Sequence, residues 1–360
     1  MTTDPRPVLV VTNLDDPTAD LVIAELHGRG VPVVRLDSGD FPATLSCSAY
    51  VGGDTARWGG SVATPTRVAG LGDVRALYYR RPSGFAFPHL DPQDARFAVA
   101  QARYGLGGIL ASLPDCLYVN HPNRIGDAEY KPAGLAAAAA SGFTLPPTLI
   151  TNRPDDARAF IKEHGPVIFK PLSVPLYLVD DKAQTLPVAE VTADEIDDSV
   201  SGTMHLFQAR MDKAADVRVT VIGEQIFAVR IDCDLLDWRT DYSTHTYTPI
   251  TTPPAVARGI RSYLRHFGLV FGAFDFTLSA SGEWTFIECN PSGQWAWLEP
   301  PTGLPMTAAL AGLMERGTHD GTQRRQRRGQ AAAATRRPAR RRRLAPLARL
   351  ACRRRGRPPA

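Results

Sequence analysis

The stretch GLVFGAFDFTLSASGEWTFIECNPSGQWAWLE, from Gly268 to Glu299, decides how this chain is read. Two apolar runs, Val270–Leu278 and Trp284–Cys289, flank the turn-rich Ser279-Ala280-Ser281-Gly282-Glu283, the pattern of a β-hairpin. Asp275 lies on the first strand, while Glu288 and Asn290 end the second. Side chains two apart on a strand share a face, so Glu288 and Asn290 point the same way. Two carboxylates and an amide oxygen are hard donors, and they suit Mg²⁺ on nucleotide phosphates better than zinc.

Composition narrows the classes around that hairpin. A chain of 360 residues, 44% of them hydrophobic, has room for two or three domains with a sizeable core. No apolar run reaches the roughly 18 residues of a membrane span, and MTTDPRPVLVV lacks the charged start and long apolar core of a signal peptide. Five scattered cysteines without a CxxC pair lead us to expect a reduced, cytoplasmic chain with no disulfide framework or zinc site. The net charge of +4 is unevenly spread. Residues 317–360 hold 15 Arg against the single acid Asp320, a local net of +14, which leaves −10 on the other 316 residues. Such an acidic body has no general basic field for nucleic acid. The tail, nearly all Arg, Ala, Pro, Gly and Gln, cannot bury enough apolar surface to offset its ordering entropy, so we expect it disordered. Its GC-rich codons also suit a reading-frame shift.

Taken in order, Pro7–Val11, the helical spacing of Asp16–Gly30 and the strand Val31–Leu36 open a parallel α/β unit. No GxGxxG follows the first strand, which leaves a Rossmann cofactor without support. LSCSAYVGG and RWGGSVAT read as antiparallel additions to that sheet, and Arg75–Tyr79 as another strand running into Arg80-Arg81, a pair able to grip phosphate or carboxylate. Helix Asp91–Leu113 and strand Leu117–Val119 follow. A second α/β region begins with an Ala-rich helix over Ala128–Ser141 that carries Lys131. It continues through strand Thr148–Thr151 and helix Pro154–His164 to strand Pro166–Lys170, ending in a lysine. Beyond it lie strand Met204–Ala209, a hairpin Val217–Ile222 and Gln225–Ile231 about Gly223-Glu224, a polar aromatic loop Asp237–Tyr242, and the amphipathic helix Ala255–Phe267. His121 and His205 read as structural.

Two lysines, an arginine on a hairpin strand and two carboxylates are what a triphosphate site requires, and no Walker A loop is present to serve instead. In AEYKP, VIFKP and ECNPSGQW, with DVRVTVIG and DWRTDY between, the chain resembles the ATP-grasp superfamily, and within it the graspetide synthetases, ribosomal peptide maturases of the TgmB type. The resemblance runs from Val8 to about Arg316. It implies an α/β (α+β) ATP-grasp fold: an N-terminal pre-ATP-grasp domain over 1–120, a central domain over 121–205 and a C-terminal ATP-grasp domain over 206–316. ATP and Mg²⁺ are the cofactors it implies. Lys131 and Lys170 match the lysines that contact the nucleotide phosphates. Gln208, Ala209 and Arg210 match the hinge that receives adenine, and Arg218 the arginine near the transferred phosphate or acyl-phosphate, so that Arg218 and Lys170 are the catalytic candidates. Asp275, Glu288 and Asn290 match the Mg²⁺ ligands, and Arg80, Trp238 and Arg239 fall in motifs placed near the substrate. The implied partner is a ribosomal precursor peptide, leader plus core, with neither specific nucleic acid nor membrane, and with a homodimer left open. One departure stands out: Pro171–Ala189 contains no glycine, where the family has a Gly-bearing loop over the phosphates.

The resulting expectation is a ligase that activates a peptide carboxylate with ATP and closes an ester or amide macrocycle. Three alternatives stay open at this point. One is ligation of an amino acid to a small molecule or protein C-terminus. The second is a catalytically silent peptide binder. The third is a nucleic-acid binder resting on the tail alone.

Overall fold

In the computed structural model, residues 4–53, 55–173, 177–179, 182–184, 188–233 and 245–319 are described. Trp238 and Arg239, residues 174–176, 180–181 and 185–187 of the glycine-free stretch after Lys170, and the tail over 320–360 lie outside them. The first three tail residues, Gly317–His319, make one 3-10 turn, with Thr318 Oγ1 donating to the Asp115 carbonyl (2.9 Å).

The N-terminal strands pair as a parallel sheet in the order Val33–Leu36, Val8–Val11, Ala76–Tyr79, Leu117–Val119. Val8, Leu9, Val10 and Val11 are buried on both faces, as a strand covered from two sides must be. Helix Pro17–Gly28 crosses over between the first two strands and is capped by Asp16, whose carboxylate accepts from the Ala19 N–H (3.2 Å). The Gly-rich segments expected to extend this sheet do not join it. Ser46–Gly52, Thr55–Ala63 and Val68–Gly70 form a separate three-stranded antiparallel sheet, because each pairs only with its neighbour along the chain.

The Ala-rich region also differs from expectation. It is two helices, Pro122–Glu129 and Lys131–Ala140, separated by Tyr130 in extended conformation (φ −68°, ψ 104°). Pro132 has no N–H to carry a continuing helix but fits a first turn, so a new helix starts at Lys131. These helices pack on the C-terminal sheet through Ala128, Ala137 and Ala138. The strands beyond them form a second sheet in the order Ala189–Val191, Val167–Lys170, His205–Ala209, Thr148–Thr151, all antiparallel.

The third sheet is antiparallel and five-stranded: Thr246–Ile250, Gln225–Asp232, Ala215–Ile222, Phe271–Leu278, Trp284–Asn290. Val217, Val219, Val221, Phe274, Phe276 and Phe286 face helix Pro254–Phe267 and pack on its Ile260, Tyr263 and Leu264. That helix stops at Gly268 in the left-handed conformation (φ 65°), where a side chain would also collide with the Arg124 guanidinium. Ile222, Val229, Phe271 and Ala273 join a different core, shared with Val8, Val10, Ala76 and Tyr78 of the first sheet and sealed by Trp295, Leu298 and helix Met306–Arg316.

One side chain fastens the start of the Asp275 strand. Buried Asn120 accepts from the Val270 and Phe271 N–H groups (2.8 and 3.1 Å) and donates to the Phe271 and Pro291 carbonyls (2.9 and 2.7 Å). Truncation would orphan buried donors and acceptors together. Asn120→Ala is therefore expected to cost about 3 kcal/mol or more in denaturant unfolding, and a loss below about 1 kcal/mol would contradict this reading.

Candidate active site

The site is built on the face of the third sheet that turns away from helix Pro254–Phe267. On strand Ala215–Ile222, Arg218 alternates with Val217 and Val219 and so points opposite to the core valines. Strand pairing sets Arg218 directly across from Asp275, and Asp275 across from Glu288. The second pairing depends on a bulge. Phe276 stands across from Phe286, so Ile287 is the extra residue. In a regular strand Glu288 would follow Phe286 onto the core face; the bulge moves it to the Asp275 face.

The charges are paired across the chain. Arg218 Nη1 donates to both Asp275 oxygens (2.8 and 2.6 Å), with side-chain exposures of 6% and 9%. Lys131, at the first position of its helix, reaches Glu288 Oε2 (3.0 Å), with exposures of 29% and 15%. Glu288 Oε1 accepts from the Asn290 amide nitrogen (3.2 Å), which turns the Asn290 oxygen away from Glu288. Buried Lys170 donates to Gln208 Oε1 (3.3 Å), and Gln208 Nε2 donates to Thr148 Oγ1 (2.9 Å).

A cleft of about 710 Å³ opens between the second and third sheets, lined by Lys131, Lys170, Gln208, Glu288 and Asn290 with apolar Tyr263 and Phe286. A smaller cleft of about 80 Å³ adjoins it and shares Lys170, Gln208, Ile287 and Glu288. Asp275, Ala209 and Arg210 line the smaller one. The expected residues are thus gathered, with two qualifications of geometry. Arg218 lines neither cleft and reaches the site through Asp275. The N–H groups of Ala209 and Arg210 already donate to the Pro147 and Pro166 carbonyls (2.9 and 2.8 Å), and Arg210 pairs with Glu190, so neither N–H is offered to a base.

Arg80 does grip a carboxylate with two nitrogens, but the carboxylate is Asp16 of the same chain. Nε donates to Oδ2 (2.8 Å) and Nη2 to Oδ1 (3.2 Å), with both side chains 1% exposed. Burial by itself would raise the Asp16 carboxyl; the Arg80 guanidinium and the Thr12 hydroxyl hold it below the usual carboxylate range. Neither Arg80 nor Asp16 lines either cleft, and both side chains are buried. His121 is structural: its ring caps helix Pro122–Glu129 by accepting from the Asn123 N–H (3.2 Å). Cys289 is buried and burial pushes its thiol well above the ordinary range, which makes it inert as a nucleophile.

The donor set fits a divalent cation that arrives with its nucleotide. Among the described residues no group of three or more His, Cys, Asp and Glu could hold a metal by itself. Two opposed carboxylates and one amide oxygen leave the remaining shell to phosphate and water, as Mg²⁺ prefers. Ser292 Oγ, two residues past Asn290, is buried and finds no hydrogen-bond partner among the described residues.

Residues 7–126 match the family described as the MvdD pre-ATP-grasp domain. A RiPP-associated ATP-grasp ligase of Chryseobacterium gregarium, solved with ADP and a leader and core peptide, is 25% identical over 86% of this chain and 96% of its own, with a TM-score of 0.78. The macrocyclase MdnC of Microcystis aeruginosa, bound with precursor peptide MdnA, is 27% identical over 85% and 98%, with a TM-score of 0.76. The macrocyclase MdnB of the same organism is 28% identical over 86% and 99%, with a TM-score of 0.73. No curated protein matches the chain. The chain is an ATP-grasp protein matching the graspetide synthetases.

In this ATP-grasp protein, sequence reasoning overlooked Gln294 and Asp16. Gln294 Oε1 accepts from Arg80 Nη2 (2.9 Å) and Thr18 Oγ1 (2.7 Å), while its backbone carbonyl accepts from Arg218 Nη2 (2.9 Å). The only sequence signal was that ECNPSGQW continues past the metal-capable residues without a break in polar character.

Burial ranks the two ion pairs of the site. Asp275→Ala leaves a desolvated guanidinium unpaired and is expected to cost about 3–5 kcal/mol. Lys131→Ala breaks a partly wet pair and should cost no more than about 1 kcal/mol. Denaturant titration of both variants checks the order, and equal losses would contradict it.

Proposed function

We propose that the protein is an ATP-dependent ligase that forms side-chain ester or amide macrocycles in a ribosomally made precursor peptide. An Asp or Glu carboxylate oxygen of the peptide attacks the γ-phosphorus of ATP, the bond to the β-phosphate oxygen breaks, and ADP leaves. The resulting acyl-phosphate is attacked at its carbonyl carbon by a Thr or Ser hydroxyl or a Lys amine. Inorganic phosphate departs, and the nucleophile's proton passes to solvent. The observation that carries this reading is the juxtaposition of Lys131 and Lys170 with Glu288 and Asn290 around one cleft, Asp275 beside them, on a fold shared with ligases solved with ADP and peptide.

In this reading the chain contributes electrostatics and positioning rather than a nucleophile of its own. Lys131 leaves Glu288 for a phosphate oxygen, and Lys170, fixed by Gln208, holds its charge toward the nucleotide. Asp275, Glu288 and Asn290 would hold Mg²⁺, which when bound would offset the charge moving onto the leaving oxygens. Arg218 acts on the transferred phosphoryl group through Asp275, which it holds with Nη1. The partner is a leader-plus-core peptide, for which an acidic body is no hindrance because the recognition is not a bulk-charge effect. We place the protein in the cytoplasm, a reading supported by the free thiols of Cys47, Cys116, Cys233 and Cys289. No helix among the described residues is long and apolar enough to cross a membrane.

Incubation with ATP, Mg²⁺ and the short peptide encoded beside the gene, followed by mass spectrometry, is expected to show successive losses of water. Addition of mass would instead indicate ligation of a separate molecule. Glu288→Ala should abolish turnover while peptide affinity stays within about two-fold, since charge stabilisation is lost and the peptide surface is not. Retained turnover in that variant would overturn the metal assignment.

A further inference from the structure

We propose that Gln294 is a positioning residue that fixes the Arg218 guanidinium, and through it the Asp275 carboxylate, for phosphoryl transfer; the catalytic part of this inference rests on the function proposed above. A guanidinium is a flat fork of donors, and its plane is set once two of its nitrogens are held. Arg218 Nη1 is held by both Asp275 oxygens, and Nη2 by the Gln294 carbonyl. The carbonyl can stand there because the preceding residue is Gly293. A Cβ at that position would lie 2.6 Å from Ala273 Cβ, 3.0 Å from Asn290 Cβ and 3.1 Å from Arg218 Nη2 itself. Only glycine lets the loop come this close.

The Gln294 side chain supplies the other half of the device. Its Oε1 takes hydrogen bonds from Arg80 and from Thr18, both in the N-terminal α/β region. Arg80 is a firm anchor. It lies in a dry ion pair with Asp16, receives support from the Tyr78 hydroxyl (3.2 Å), and Asp16 is completed by the Thr12 hydroxyl (2.7 Å) and the Ala19 N–H. A dry ion pair is a weak source of net stability, because desolvation offsets most of its Coulomb energy. What it does provide is a fixed donor for the loop that follows strand Trp284–Asn290. A continuous chain results: Asp16, Arg80, Gln294, Arg218, Asp275. It ties the end of the first parallel sheet to a carboxylate that lines the cleft.

The loop does not need the Gln294 side chain merely to stay folded. Its start is pinned by Asn120 on the Pro291 carbonyl, and its end by Trp295, fully buried in the core between the first and third sheets. Removing the side chain should therefore let the carbonyl drift without unfolding the loop.

Two variants of the full chain test this, assayed with ATP, Mg²⁺ and the precursor peptide. Gln294→Ala should lower kcat by about ten-fold or more, since small misplacement of a catalytic group is enough for that, with KM for ATP and the melting temperature nearly unchanged. Gln294→Glu keeps an acceptor for Arg80 and Thr18 and should restore most of kcat. The second readout needs no turnover: in ¹⁵N-arginine NMR spectra, the Arg218 Nη signals, assigned by their loss in Arg218→Lys, should shift in Gln294→Ala and return in Gln294→Glu. If the wild type ligates no peptide, the proposed function fails while the Arg218 signals still decide the positioning. Unshifted Nη signals, a kcat within about two-fold of wild type in Gln294→Ala, or no rescue by Gln294→Glu would overturn the inference.

Discussion

The contact on which the site depends is the buried pair between Arg218 and Asp275. Two charges removed from water are stable only if each is matched and hydrogen-bonded. The antiparallel register of their strands supplies that match by putting one residue directly across from the other. From there the constraint spreads outward. The bulge at Ile287 brings Glu288 beside Asp275, Lys131 reaches over to neutralise Glu288, and the Gln294 carbonyl takes the second Arg218 nitrogen. Across the sheet the two carboxylates stand side by side, and each is held by a cation of its own, Asp275 by Arg218 and Glu288 by Lys131.

Much of this was legible in the sequence, and the reasons differ from residue to residue. The hairpin about Gly223-Glu224 and the final hairpin announced themselves by period-two alternation around turn residues, and Gly268 by its place after an amphipathic run. Asp275 lies between Phe274 and Phe276, and a charge in that setting needs a partner. That partner is Arg218, whose alternation with Val217 and Val219 points it away from the core valines. Glu288 was placed on the right side for an incomplete reason. Simple alternation would have sent it to the core with Phe286, and only the bulge, which no local pattern marks, sets it in the cleft.

The parts that stayed hidden are those where a side chain's partner is distant along the chain. Arg80 at a strand end looked ready for an external anion, yet its match is Asp16, a helix cap on the neighbouring strand's loop. Asn120 and Gln294 are polar residues in loops, and composition cannot separate a solvated amide from one that fastens two sheets. The small Gly-rich strands were read correctly as antiparallel but assigned to the wrong sheet, because alternation specifies a face and not a pairing partner. Lys131 was expected within one long helix. The break at Tyr130 instead sets it at a helix start, where the free N–H groups and the dipole add to its attraction for anions.

The central claim is that a peptide carboxylate is activated by direct phosphoryl transfer before ring closure. Precursor peptide labelled with ¹⁸O in its Asp and Glu carboxylates, incubated with the enzyme, ATP and Mg²⁺, tests it most directly. If an acyl-phosphate forms, one labelled oxygen stays on the phosphate that departs, so inorganic phosphate should carry one ¹⁸O for each ring closed. Rings formed alongside wholly unlabelled phosphate would contradict the account.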